Sequence, residues 1–322
     1  MNPLSAHSTD GSIVALAGGV GAARMLLGFV QVVDPASITA IVNTGDDREF
    51  YGVHVSPDLD IVTYTLAGRV DPEKGFGIAG DTFSIVDSLA ERGHETWFRL
   101  GDRDFAQCLH RTLRLRAGDG LAQITDDTRR AHGLATRVLP MSEDPCATFV
   151  ELDDGRVIHF EEYLVRERSP DNVKSVDLRA AAGARPGPGV LEAISSARCI
   201  VICPSNPVVS IGPILEIPGI RQALCDSPAP VVAVSPIVGG APIKGPADRL
   251  LRGTGSEVSA RGVAERYRDF LDGMVIDQRD ADLANDIEAM GLRVLATDTL
   301  MTRPEVSARL AESVLQLAQG SA

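Results

Sequence analysis

The chain has 322 residues, 44% of them hydrophobic and 23% charged, and its 31 basic against 44 acidic side chains give a formal charge of −13. This is globular composition, enough for one large α/β domain or two smaller ones, and it excludes wholesale disorder. The acidity excludes nonspecific nucleic-acid binding, which needs clustered positive charge, and no apolar run nears the ~20 residues that span a bilayer.

Residues 1–11 are polar with no apolar core, so no secretory signal is expected, and His7 falls in this stretch. Ser12–Ala17 reads as a short buried strand that runs into Gly18-Gly19-Val20-Gly21. Helical spacing follows over 22–32, with Met25, Leu26, Phe29 and Val33 on one face. A second buried strand, Ile38–Val42, stops at Asn43-Thr44-Gly45-Asp46-Asp47. Two strands around a helix predict a parallel sheet. Ser56-Pro57-Asp58-Leu59-Asp60 carries helix-start signals, with Ser56 able to cap. Helices are predicted over 81–89 and from Gly101-Asp102-Arg103-Asp104 to about Arg116. The middle differs: 138–139, 147–152 and 157–164 read as strands, with a hairpin signal at Asp154-Gly155. The α/β alternation resumes with strands at 199–203, 231–234, 274–276 and 293–295, and helices at 217–224, 245–251 and 304–317. The expected division is a core of 1–135 with 170–322, and an antiparallel insert or small lobe over 136–169.

The five cysteines are few, odd in number and scattered, which suits a reducing cytoplasm. Cys199 and Cys203 bracket Ile-Val-Ile and read as buried strand thiols rather than metal ligands. No pair of histidines has metal-ligand spacing.

Four blocks could carry chemistry. Glycines between a strand and a helix let a phosphate approach backbone N–H groups, although the same turn can exist without a ligand. The third glycine of the dinucleotide fingerprint is replaced by Arg24, and no Gly-Lys-Ser/Thr follows. Asp46, Asp47, Asp58 and Asp60 stand near the carboxyl ends of early strands and suggest Mg²⁺, with helix capping as the alternative. Arg99 precedes a helix start and can meet a substrate; read alone, that block favours a surface ion pair. The loop Pro204-Ser205-Asn206-Pro207 through Ser210 can read a base or hold a phosphate. The loop after 231–234 repeats its design and offers one cation, Lys244, to a phosphate or to solvent.

In chain order these blocks closely resemble the 2-phospho-L-lactate transferase family of coenzyme F420 biosynthesis, including its phosphoenolpyruvate-using actinobacterial relatives. The matching stretches are Ala17 to Arg24, Val42 to Asp47, Ser56 to Asp60, Leu100 to Asp104, Leu139 to Ser142, Pro204 to Ile214, Val234 to Ile237 and Asp298 to Thr302. The resemblance implies a Rossmann-like, mostly parallel sheet with helices on both faces and a small antiparallel insert. It also implies a reaction. The 5′-hydroxyl of the deazaflavin alcohol Fo attacks the guanosine diphosphate ester of a three-carbon acid, GMP leaves, and a phosphodiester results. Mg²⁺ is the expected cofactor, on Asp46 and Asp60 with Asp47 and Asp58 supporting. Asp60 would lie close to the attacking hydroxyl, where it could accept its proton, and Asp60→Asn is expected to cut turnover strongly with the fold and expression intact. The deazaflavin contacts would be Asp60 and Arg99, which stands where some members carry Lys. Gly18, Gly19, Gly21, Asn43, Ser205, Asn206, Ser210 and Lys244 would hold the guanosine diphosphate moiety. A cytoplasmic homodimer acting on small molecules, with no nucleic-acid or membrane partner, is expected. Two rival readings are a non-enzymatic nucleotide-binding regulator of the same superfamily and an NAD-dependent oxidoreductase.

Overall fold

The computed structural model describes residues 12–320, so residues 1–11, His7 among them, lie outside the description. Seven strands form one parallel sheet: β1 (Ser12–Ala17), β2 (Ile38–Val42), β3 (Arg137–Pro140), β4 (Ala197–Ile202), β5 (Val231–Val234), β6 (Gly273–Asp277) and β7 (Arg293–Thr297). Their spatial order is β7-β6-β5-β4-β1-β2-β3, so the winding reverses between β1 and β4. Such a reversal opens a crevice at the strands' carboxyl ends.

Alternate residues of β1 feed two cores. Ile13, Ala15 and Ala17 pack with Met25, Leu26 and Phe29 of α1 (Gly19–Val32) and with Leu310 and Val314 of the terminal helix Pro304–Ala318. Val14 and Leu16 face the opposite layer, with Ile194, Ile214 and Leu250. A strand covered on both faces must be apolar throughout, which is why these sequences read as continuous hydrophobic runs. Cys199 and Cys203 are buried free thiols of this sheet region.

A third, smaller core holds Phe50, Val53, Val55, Val86, Leu100 and Cys108. It sits under a hairpin, Arg48–Phe50 with Val53–Val55, that the sequence reading did not anticipate. Its two-residue turn has positive φ at both Tyr51 (53°) and Gly52 (78°). Tyrosine is an unusual occupant there; its hydroxyl donates to Phe98 O at 2.6 Å, which anchors the turn to this core.

The antiparallel sheet comprises Val157–His159, Phe149–Leu152 and Val173–Asp177. Two placements differ from the sequence reading. Arg137–Pro140, expected in the insert, pairs in parallel with β2. Val173–Asp177, expected in the core, is the insert's third strand. The strand expected over 157–164 ends at His159 and turns into a short wide helix, closed by Glu167 N–H donating to Glu162 O at 2.9 Å. The helix expected over 217–224 is Ile220–Asp226, and a further short helix, Ile211–Glu216, stands where a loop was expected; Pro218-Gly219 separates the two, with Gly219 at φ 91°. No helix among the described residues is long and apolar enough to cross a membrane.

Candidate active site

A cavity of about 810 Å³ opens beside the carboxyl ends of β1, β4 and β5. It gathers Gly18, Gly19, Gly21, Asp46, Asp58, Asp60, Arg99, Ser205, Asn206, Ser210 and Lys244, which are scattered along the sequence from position 18 to position 244. Asn43 and Asp47 do not line it.

The glycine turn is built by close approach. A Cβ on Gly18 would stand 2.7 Å from both Asp58 Oδ2 and Ser210 Cβ, and one on Gly21 would stand 2.2 Å from Pro204 O. Gly19 takes φ 68°, a region that favours glycine. Gly18 N–H donates to Ser205 Oγ at 3.3 Å, and Gly19 N–H to Asp58 Oδ1 at 2.7 Å. Asn43 acts from behind: it is fully buried, its amide donates to Asp58 Oδ2 at 2.9 Å, and its Oδ1 accepts from Gly45 N–H at 2.8 Å. Asn43 therefore fixes Asp58 and the 43–47 turn together.

The four early aspartates occupy different environments. Asp47 is held by Ser56 Oγ at 2.7 Å and His54 Nε2 at 3.0 Å. Ser56 therefore does not cap α2 (Pro57–Leu66); its hydroxyl serves Asp47. Asp60 is buried in a two-pronged ion pair with Arg111 of a later helix, Asp102–Arg116, with Arg111 Nη1 donating to Asp60 Oδ2 at 3.0 Å. The guanidinium also faces Cys108 Sγ at 3.8 Å. It thereby fills the one group of three metal-type ligands close together among the described residues, namely Asp60, Asp104 and Cys108.

Asp46 is 5% exposed, and its Oδ1 has no hydrogen-bond partner. Burial pushes its pKa well up, and repulsion from Asp58, Glu161 and Asp47 adds to this. Asp58 is raised by burial to about 6, and Glu161, raised by burial and by Asp58, to about 8. Three mutually repelling buried carboxylates, one with an orphaned oxygen, suit a hard divalent cation with oxygen ligands. Of the four early aspartates, Asp46 and Asp58 are in no ion pair among the described residues, whereas Asp47 faces His54 and Asp60 is committed to Arg111.

Arg99 donates to Asp87 Oδ1 at 2.6 Å and lies over the Phe83 ring, 4.8 Å from its centroid, while lining the cavity. It is both a surface ion pair and a wall residue. Lys244 Nζ donates to Lys74 O at 2.8 Å across the cavity mouth. Asp102 does not cap its own helix. Its carboxylate accepts from Ser84 and Ile85 N–H groups of the neighbouring helix Ser84–Glu91, while Asp81 accepts from Arg103 and Asp104 N–H groups.

Sequence reasoning missed Arg111, Glu161, Tyr64 and Asp104 as site residues. Tyr64 donates to Asp104 Oδ1 at 2.9 Å. Asp104 lines the cavity and is raised by burial and by Asp60 to about 7. Arg111 stands in a helix among many arginines and Glu161 in no motif, so only the fold distinguishes them. Asp58, Asp60 and Tyr64 are spaced for neighbouring faces of one helix, which was the available signal for Tyr64.

A reversed-winding parallel sheet, a glycine turn and a carboxylate-lined cavity at the strand ends define a Rossmann-like α/β protein with a ligand site for charged small molecules. Comparison with known proteins makes this particular. The family model of the 2-phospho-L-lactate transferase CofD matches residues 13–312, and the chain belongs to that family of transferases of coenzyme F420 biosynthesis. It is 46% identical over 313 residues to the phosphoenolpyruvate transferase of Kitasatospora aureofaciens, covering 95% of this chain and 98% of that protein. It is 40% identical over 304 residues to the 2-phospho-L-lactate transferase of Methanosarcina mazei, covering 94% and 99%. A crystal structure of an upf0052-family protein from Bacillus halodurans shares the fold, with a TM-score of 0.62 at 18% identity over 95% of this chain and 99% of that one.

Proposed function

We propose that this transferase moves a phospho-three-carbon-acid group, phosphoenolpyruvate in the first instance, from its guanosine diphosphate ester to the 5′-hydroxyl of Fo, with release of GMP. The observation that carries the reading is the meeting of the glycine turn, the early aspartates and the 204–210 loop in one cavity. The phosphoenolpyruvate assignment draws on the name of the 46% identical relative.

Phosphoryl transfer is mainly alignment and charge stabilisation. The glycine turn offers the N–H groups of Val20 and Gly21, which lack carbonyl partners in the first turn of α1, to the diphosphate. Ser205, Asn206 and Ser210 flank the nucleotide, and Lys244 adds a cation at the mouth. Mg²⁺ is the cofactor of this reading; Asp46 and Asp58 would hold it, with Glu161 nearby, and it would neutralise the charge gathering on the diphosphate. Asn43 and Asp47 support the turn from behind.

Arg99 and the region of Asp60 receive the deazaflavin alcohol. Asp60 orients Arg111 beside it. The proton acceptor is Asp104: Tyr64 occupies Oδ1, Oδ2 is in no ion pair, and a carboxyl near pH 7 is matched to the task. The protein works as a cytoplasmic homodimer in this reading.

The test is incubation of the protein with Fo, Mg²⁺ and, separately, the guanylated forms of phosphoenolpyruvate, 2-phospholactate and 3-phosphoglycerate. Mass spectrometry should find GMP and the phosphodiester of Fo, fastest with phosphoenolpyruvate. GMP release without an Fo adduct would overturn the reading.

A further inference from the structure

A second cavity of about 610 Å³ lies outside the active site, between the end of α2, the start of helix Asp102–Arg116 and the end of helix Leu121–Ala131. Arg69, Arg103 and His132 line it, one from each of these three segments. Seven carboxylates line the active-site cavity, whereas no carboxylate lines this one, in a chain of net charge −13. The Arg103 side chain makes one long bond, to Ala79 O at 3.4 Å, and among the described residues neither Arg69 nor Arg103 is ion-paired. His132 Nδ1 is buried with no hydrogen-bond partner, and its ring meets Tyr64 edge-on at 6.2 Å. The rest of the lining includes Ile78 and two alanines.

We propose that this cavity binds a phosphate monoester dianion, its phosphate between Arg69 and Arg103 and its organic part against Ile78. Guanidinium forks match tetrahedral oxyanions in geometry as well as charge. The apolar wall and the volume exceed what inorganic phosphate alone would use. Tyr64 and Ile78 belong to both cavities, so the site adjoins the active site without sharing its cations.

The experiment is calorimetric titration of the full chain with glycerol 3-phosphate and, separately, with inorganic phosphate. Both should bind, glycerol 3-phosphate the tighter. The double variant Arg69→Ala/Arg103→Ala should weaken both by about tenfold or more for each arginine removed, the range for a charge-assisted hydrogen bond. Both side chains are exposed, so the variant should keep its melting temperature; Arg69→Gln/Arg103→Gln serves if it does not. Removing two of the four cations of the active-site cavity, Arg24→Ala/Lys244→Ala, should leave the affinity unchanged. No saturable binding, unchanged affinity in the arginine double variant, or loss in the active-site variant would each overturn the site. Inorganic phosphate binding as tightly as the ester would overturn the monoester assignment.

Discussion

Asp60 and Asp104 show how two carboxylates in one cavity acquire different tasks. Asp60 is sealed against Arg111, both nearly inaccessible to water, whereas Asp104 is half-buried and has only a phenol as partner. From sequence, Asp60→Asn is expected to spare the fold; the ion pair makes it a stability variant. It strands a buried guanidinium, a loss of about 3–5 kcal/mol for a broken buried pair, readable in urea unfolding. Asp104→Asn removes one hydrogen-bond acceptor, worth about 1 kcal/mol, and the proton acceptor with it. The expected kcat is at least about 100-fold lower, with the acidic limb of the pH–rate profile gone and the urea midpoint nearly unmoved. An Asp104→Asn enzyme with wild-type kcat and pH profile would remove Asp104 from the mechanism.

Elements meet where glycine permits it. Gly28, mid-way along α1, lets the terminal helix approach so closely that an added Cβ would stand 2.1 Å from Ser307 O. Alanine gains about 1 kcal/mol of helix propensity over glycine. The obstacle is backbone, however, so the helices must separate, at a cost of about 1–3 kcal/mol beyond that gain. Gly28→Ala should therefore lower the melting temperature, while Gly183→Ala, whose Cβ would meet nothing nearer than 3.6 Å, should not. Calorimetry of the two side by side decides it. The same scale separates what the chain reveals from what it conceals. The parallel strands and α1 are legible because their periodicity is local. Pairing is not local. Arg137–Pro140 holds only the apolar pair Val138-Leu139 before its proline and Val173–Asp177 is mostly polar, so neither run announces its sheet; only their partners put one in the main sheet and the other in the insert. The cap exchange between Asp81 and Asp102 is hidden for the same reason, since each serves the other's helix.

At the scale of the whole molecule, motifs in chain order sufficed to bring eleven expected site residues to one cavity. The choice among carboxylates needed the fold, because Arg111 and Glu161 enter from helices and turns with no motif of their own. That concentration of buried acid has a consequence for stability. Asp58 titrates near 6 and Glu161 near 8 in the folded chain, against 3.8 and 4.5 as ordinary values, and Asp46 is raised as well. Between the ordinary and the raised values the folded state binds more protons than the unfolded one, so stability falls as pH rises. The contribution is complete below about pH 4 and is lost through pH 6 to 8. Exposed pairs act in the opposite sense at the acid end: Asp144, held down to about 2 by Arg185, stabilises above its ordinary value and loses this as pH falls toward 2. The melting temperature in chelator should therefore peak at mildly acid pH and decline toward pH 8. A divalent cation on Asp46 and Asp58 replaces those protons, so millimolar Mg²⁺ should raise the melting temperature more at pH 8 than at pH 5. Asp46→Asn should flatten the decline and abolish most of the Mg²⁺ response. A Mg²⁺ effect equal at both pH values, or unchanged in Asp46→Asn, would place the metal elsewhere.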